Sequence, residues 1–111
     1  MYKNFNDLYV AYGLCKGDKE REDLTDEEKH RFVNDCFDTY ESIGFAYTFN
    51  TLYTDEEKYI GMRFLVLGRV KTITEDPSNG ADLECLPMWN IQFENGETIV
   101  AYPEEICLAE R

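Results

Sequence analysis

Trp89-Asn90-Ile91-Gln92-Phe93-Glu94-Asn95-Gly96-Glu97-Thr98-Ile99-Val100-Ala101-Tyr102 reads as two β-strands joined by a tight turn. Residues 89–93 alternate apolar and polar side chains, as a strand with one buried face does. Residues 98–102 are the returning run. Asn95-Gly96 between them is a strong short-range hairpin signal, because both residues accept the positive φ that a turn matched to strand twist demands.

Working outward from this hairpin, the segment Met62-Arg63-Phe64-Leu65-Val66-Leu67-Gly68-Arg69-Val70-Lys71-Thr72-Ile73 reads as a long strand. Gly68 in its interior marks a bend or bulge. Further back, Phe45, Tyr47, Phe49 and Thr51 alternate with Ala46, Thr48 and Asn50, the period of another strand. Thr54-Asp55-Glu56-Glu57 leaves room only for a short turn before Gly61, and Asp76-Pro77-Ser78-Asn79-Gly80 is a dense turn signal. After the hairpin, Pro103-Glu104-Glu105 can form one 3₁₀ turn and Ile106-Cys107-Leu108 a short closing strand. The expectation is a small, strongly twisted five-strand barrel over residues 45–111.

The N-terminal part has the helical period instead. Phe5, Leu8, Tyr9, Tyr12 and Cys15 make one stripe, with Asn4 as N-cap, Asp7 in the first turn and Gly17 as the stop. Residues 16–23 carry no large apolar side chain and read as an exposed loop. Thr25-Asp26-Glu27-Glu28 is a capping box, in which Thr25 accepts from the Glu28 amide and Glu28 reaches back. Phe32, Val33, Cys36, Phe37, Tyr40 and Ile43 then share a face, opposite Arg31, Asp35, Asp38 and Glu41, and Gly44 stands where the helix should end. The fold class expected is α+β: an N-terminal helical hairpin, residues 1–44, packed on a five-strand SH3-like β-barrel, residues 45–111. The two should form one cooperative unit, because a barrel of about 65 residues buries a limited core on its own.

Of the 111 residues, 43% are hydrophobic and 14% aromatic, ample material for a folded core. No apolar run reaches the roughly 18 residues of a membrane span, and the first residues lack the basic start and apolar stretch of a signal peptide. A soluble cytoplasmic protein with no membrane contact is expected. Cys15, Cys36, Cys85 and Cys107 show no C-x-x-C spacing, and His30 is the sole histidine. A zinc site needs close-spaced thiolate or imidazole pairs, so four buried free thiols and no metal or cofactor are expected. The net charge is −12, spread evenly: residues 1–53 hold 11 acidic and 6 basic side chains, residues 54–111 hold 12 and 5. Direct binding to nucleic acid is disfavoured, since that affinity comes from clustered Lys and Arg, whereas a protein partner with a basic surface is attracted.

Thr51-Leu52-Tyr53 before an acidic loop, Trp89 ahead of the Asn95-Gly96 turn, and Ala101-Tyr102-Pro103-Glu104-Glu105-Ile106 together resemble an SH3 domain over residues 45–110. Barrels of the KOW and Tudor kind share this layout. The sequence departs from the SH3 pattern in having Met88 before Trp89 where SH3 domains carry a second Trp, and Ile106 where a Tyr follows the 3₁₀ turn. The resemblance implies an aromatic groove lined by Tyr53, Trp89, Tyr102 and Pro103. Asp55, Glu56 and Glu57 would stand beside it, facing a basic ligand residue.

Catalytic motifs are lacking. His30 sits between Lys29 and Arg31 on a polar helix face, no Gly-rich phosphate loop or nucleophile motif occurs, and the loop from Asp76 misses the glycine and glutamate positions of a calcium-binding EF-hand. The function expected is therefore a non-enzymatic protein–protein interaction module. The alternative is an inhibitor from a phage or other mobile element that mimics nucleic acid. Its acidic runs, residues 20–28, 55–57 and 104–105, would stand in for phosphates and block a basic nucleic-acid-binding protein.

Overall fold

The computed structural model describes residues 2–14 and 19–108. Helix α1, Phe5–Ala11, is capped by Asn4, whose Oδ1 accepts from the Asp7 amide at 2.8 Å. It stops earlier than the stripe suggests. Gly13 takes φ +73°, its amide donates to the Val10 carbonyl, and the Leu14 amide donates to the Tyr9 carbonyl. That pair of bonds satisfies the last carbonyls of the helix and needs a left-handed residue, so Gly13 ends it. Cys15 and Gly17, the expected end of the stripe and its stop, lie outside the described residues.

Helix α2, Asp26–Ile43, follows its sequence signals. Thr25 Oγ1 accepts from the Glu28 amide at 3.2 Å, Glu28 Oε1 accepts from the Thr25 amide at 3.1 Å, and Gly44 terminates it at φ +102°. Its apolar stripe divides between two clusters. Val33 and Phe37 face the sheet, while Phe32 and Cys36 meet Leu8 of α1 and Leu24. Thus α2 lies on the sheet, and α1 lies on α2. Arg21 ties the connecting segment down: its Nη2 donates to the carbonyls of Leu83 and Leu86 at 3.0 and 2.7 Å, and its guanidinium sits 5.1 Å from the Phe32 ring centroid.

The β part is a single antiparallel sheet of three strands in the order β1-β2-β3: β1 is Phe64–Arg69, β2 Trp89–Phe93 and β3 Thr98–Ala101. The Asn95-Gly96 hairpin forms as expected, with Gly96 at φ +90°. The β1–β2 register slips between Val66 and Gly68, so the bulge is where Gly68 placed it. Trp89, Ile91 and Phe93 of β2 point into the core. Phe93 stacks on Tyr59 at 4.3 Å between centroids, and Phe49 meets Phe93 edge-on at 5.2 Å.

The expected five-strand barrel does not form; the sheet is open and has three strands. The reason lies in where the backbone hydrogen bonds of residues 45–51 go. The Ala46 and Asn50 amides donate to the Ile106 and Glu105 carbonyls, whereas the Phe49 amide donates to Met62. Divided between two neighbours, the segment makes only the single bridges Phe45–Cys107 and Thr48–Arg63, and neither side grows a ladder. Ile106 belongs to a one-turn helix α3, Pro103–Ile106, so the closing strand shrinks to Cys107. β1 ends at Arg69, and beyond it Thr72 bridges Ala81 instead of extending the sheet. A three-strand sheet does not establish the SH3 layout.

One polar cluster fastens α2 to this sheet. Arg69 donates from Nε to Glu41 Oε1 at 2.9 Å and from Nη2 to Glu41 Oε2 and Asp38 Oδ1, both at 2.7 Å. The guanidinium lies 5.0 Å from the Phe37 ring centroid. Trp89 Nε1 donates to the same Glu41 Oε1 at 3.1 Å. The Arg69 hydrogen bonds hold the Glu41 carboxyl below its ordinary range against the opposing effect of burial, and the Trp89 bond adds to them.

Candidate functional site

The aromatic and acidic residues singled out from the sequence separate into two places. Trp89 is 0% exposed and is met edge-on by Phe37, Tyr40 and Phe45 at 5.3, 5.8 and 5.5 Å. Its place on the inward face of β2 makes it a core residue and removes it from any open groove. Pro103 is also buried, at the first position of α3. The remaining residues come together where residues 50–57 meet α3.

Thr51 organises this meeting. Its hydroxyl donates to Glu105 Oε2 at 2.6 Å, lies 3.4 Å from Glu56 Oε2, and accepts from the Tyr53 amide at 3.1 Å. Glu105 is held from the other side by the Tyr102 amide, which donates to Oε1 at 2.8 Å. Asn50 is fixed by the bond from its amide to the Glu105 carbonyl, 3.2 Å. Residues 54–59 follow as a 3₁₀ turn, which carries Asp55 and Glu57 exposed and Glu56 half-buried against Glu105.

The resulting surface is unusual in an acidic chain. Leu52 is 97% exposed, with nothing of the protein covering it, and the exposed Tyr53 ring beside it stands 6.1 Å from Tyr102. Asn50, Thr51, Leu52, Tyr53, Glu104 and Glu105 wall a cavity of about 230 Å³. Burial, the hydrogen bond with Glu105, and the charges of Glu105 and Asp55 push the Glu56 carboxyl up to about 7, against a lowering by Thr51. Burial and the surrounding acidic groups also raise the Tyr102 phenol. An aromatic ring, an apolar tip and carboxylates around one hollow can hold a cationic side chain and the apolar stem that carries it.

No family model matches this chain, and no curated protein or solved structure is detectably similar to it. The reading of the site therefore rests on its own geometry.

Thr51, Leu52 and Glu105 stand outside the groove residues expected from the sequence, which holds Thr51 and Leu52 only as flanks of Tyr53 and Glu105 only as the end of an acidic run. For Glu105 a signal was available: in Tyr102-Pro103-Glu104-Glu105 the proline opens a helical turn, which puts Glu105 at the position that reaches back to the cap amide. For Leu52 there was none, because an apolar residue beside an aromatic one in a β-like run is ordinarily core.

Two of the larger hollows elsewhere lie beside the sheet. One, about 410 Å³, lies over the sheet beside Tyr47, Leu65 and Gln92; the other, about 500 Å³, lies between α2 and the end of β1, beside His30, Asn34 and Lys71. His30 is exposed there, on the polar face expected for it. Cys85 is exposed, which corrects the expectation of a buried thiol, because it sits in a short surface 3₁₀ turn, Leu83–Cys85. Cys36 is buried and Cys107 half-buried, and burial pushes both thiols up to about 12. Among the described residues no three His, Cys, Asp or Glu side chains converge as a metal site requires, and no helix is long and apolar enough to cross a membrane.

Proposed function

We propose that this chain is a non-enzymatic, cytoplasmic protein-interaction module that docks a basic partner protein on the surface made by Leu52, Tyr53, Tyr102 and the carboxylates Asp55, Glu57 and Glu104. The exposed Leu52 carries this reading. Leaving a leucine in water forgoes roughly 1.5–3 kcal/mol that burial against a partner would recover. Tyrosine beside it is a favoured interface anchor, and an acidic rim steers a basic partner and sets its orientation. A net charge of −12 repels a phosphate backbone and attracts a basic protein, which argues for protein and against direct nucleic acid.

Capture of partners from cell lysate, at low and at high salt, tests this. Leu52→Ser with Tyr53→Ala should abolish a capture that persists in high salt, while Asp55→Lys with Glu57→Lys should weaken it chiefly at low salt. A capture indifferent to both pairs of substitutions removes the site from consideration. Capture of a nucleic-acid enzyme that DNA competes away, and that ignores Leu52, is the outcome expected of a nucleic-acid mimic instead.

A further inference from the structure

Glu56 Oε2 and Glu105 Oε2 converge on one hydroxyl, Thr51 Oγ1, at 3.4 and 2.6 Å. The hydroxyl has one proton to give and two carboxylates only accept, so two carboxyl groups held this way are completed by one further proton. The surroundings say which group carries it. Glu105 is 2% exposed and already accepts from the Thr51 hydroxyl and the Tyr102 amide. The single Thr51 proton is spent on Glu105 at 2.6 Å, so the hydroxyl has none to offer Glu56 Oε2 at 3.4 Å. Glu56 is then the acid whose O–H donates to the Glu105 carboxylate.

Asp55 on its own turn and Glu105 on α3 both oppose a negative charge on Glu56, while Lys58 of the same turn lies over the Tyr59 ring. Glu104 and Tyr53 line the same hollow as Glu105, and Tyr53 stands 6.1 Å from Tyr102. The two carboxyl groups belong to segments of unequal firmness. Glu105 is buried in α3, whereas Glu56 rides on a surface turn next to the exposed Leu52 and Tyr53.

We propose that the Glu56–Glu105 pair is a proton latch: one proton between the two carboxyl groups pins residues 50–57 to α3, and its loss releases that segment. The latch closes in mildly acidic solution and opens as the pH rises past neutrality. Its bearing on partner docking rests on the reading given above, because the segment it holds is the one that displays Leu52 and Tyr53; the latch itself is a property of the chain alone.

The experiment is NMR on the isolated protein, reading the Glu56 side-chain carboxyl shift and water exchange of the Asn50 and Tyr53 amides between pH 5 and 8.5. These amides donate to the Glu105 carbonyl and to Thr51 Oγ1. Glu56 should titrate near neutrality, and protection of both amides, corrected for intrinsic exchange, should fall about tenfold per unit of pH from the ordinary carboxylate range up to that point and level off above it. Glu56→Gln, whose amide N–H can donate to Glu105 at any pH, should keep both protected throughout. Titration of Glu56 in the ordinary carboxylate range, protection that ignores pH, or the same loss in Glu56→Gln overturns the latch. Partner capture is no part of this readout, so a failed latch leaves the docking surface standing, and a failed docking surface leaves the latch.

Discussion

Thr39 sits fully buried on α2, and among the described residues its Oγ1 is the buried side-chain polar atom without a hydrogen-bond partner. A hydroxyl taken out of water with no compensating bond costs about 1–3 kcal/mol. Valine has the same shape and a similar helix propensity, so Thr39→Val should stabilise the protein by about 1 kcal/mol. Urea unfolding, with the midpoint rising at unchanged slope, checks this; a lower midpoint would mean that the hydroxyl finds a partner in solution. Trp89 shows the opposite condition at the same scale. Its indole N–H is satisfied by Glu41 and its ring is packed on three sides, which is why a residue that resembled a binding-site tryptophan in the sequence works as a core residue in the fold.

At the scale of elements, the Arg69–Glu41–Asp38 cluster joins α2 to the sheet beside the Trp89–Glu41 bond. The planar guanidinium spans both Glu41 oxygens and Asp38 while lying against Phe37, a geometry that a lysine ammonium cannot reproduce. Arg69→Lys should therefore cost about 1–2 kcal/mol although it keeps the charge, as read from the thermal midpoint. A variant as stable as the wild type would reduce the cluster to ordinary surface pairing. Elements set by local chemistry could be read directly from the sequence: the capping box of α2, the Asn4 cap of α1, the Asn95-Gly96 hairpin and the bulge at Gly68 all depend on residues within a few positions of one another. What could not be read was how residues 45–51 share their hydrogen bonds. Alternation in that stretch shows which side chains want burial, yet Phe45 and Phe49 are tucked in while Tyr47 between them is 88% exposed. A period of two does not say whether one partner strand runs the whole length or two neighbours each take part of it. The candidate site was half legible for the same reason. Tyr53 and its acidic loop are contiguous in sequence, but the meeting of Glu56 with Glu105 is a long-range contact between two carboxylates, which no charge pattern would lead one to expect.

For the whole molecule, Glu41 and Glu56 give stability opposite dependences on pH. Glu41 has its folded pKa lowered by Arg69 and Trp89, so its contribution is present above the ordinary carboxylate range and is lost as the pH falls through the folded value. Glu56 has its folded pKa raised to about 7, so its contribution is complete below the ordinary carboxylate value and is lost as the pH rises through 7. Self-repulsion among charges that total −12 at pH 7 works in the same direction as Glu56, since it grows with pH. Stability should therefore peak in acidic solution near the ordinary carboxylate value, at roughly pH 4–5, and decline on both sides. Urea midpoints measured from pH 3 to 9 separate the limbs. Glu56→Gln, which cannot ionise, should match the wild type near pH 5 and exceed it by about 2 kcal/mol at pH 8. Glu41→Gln keeps a hydrogen-bonding shape but not the charge, so it should be less stable than the wild type at pH 7 by about 1 kcal/mol and converge with it at pH 3. A wild-type profile that climbs steadily to pH 8 would place the proton elsewhere than on Glu56. An alkaline decline that persists undiminished in Glu56→Gln would assign it to the net charge alone.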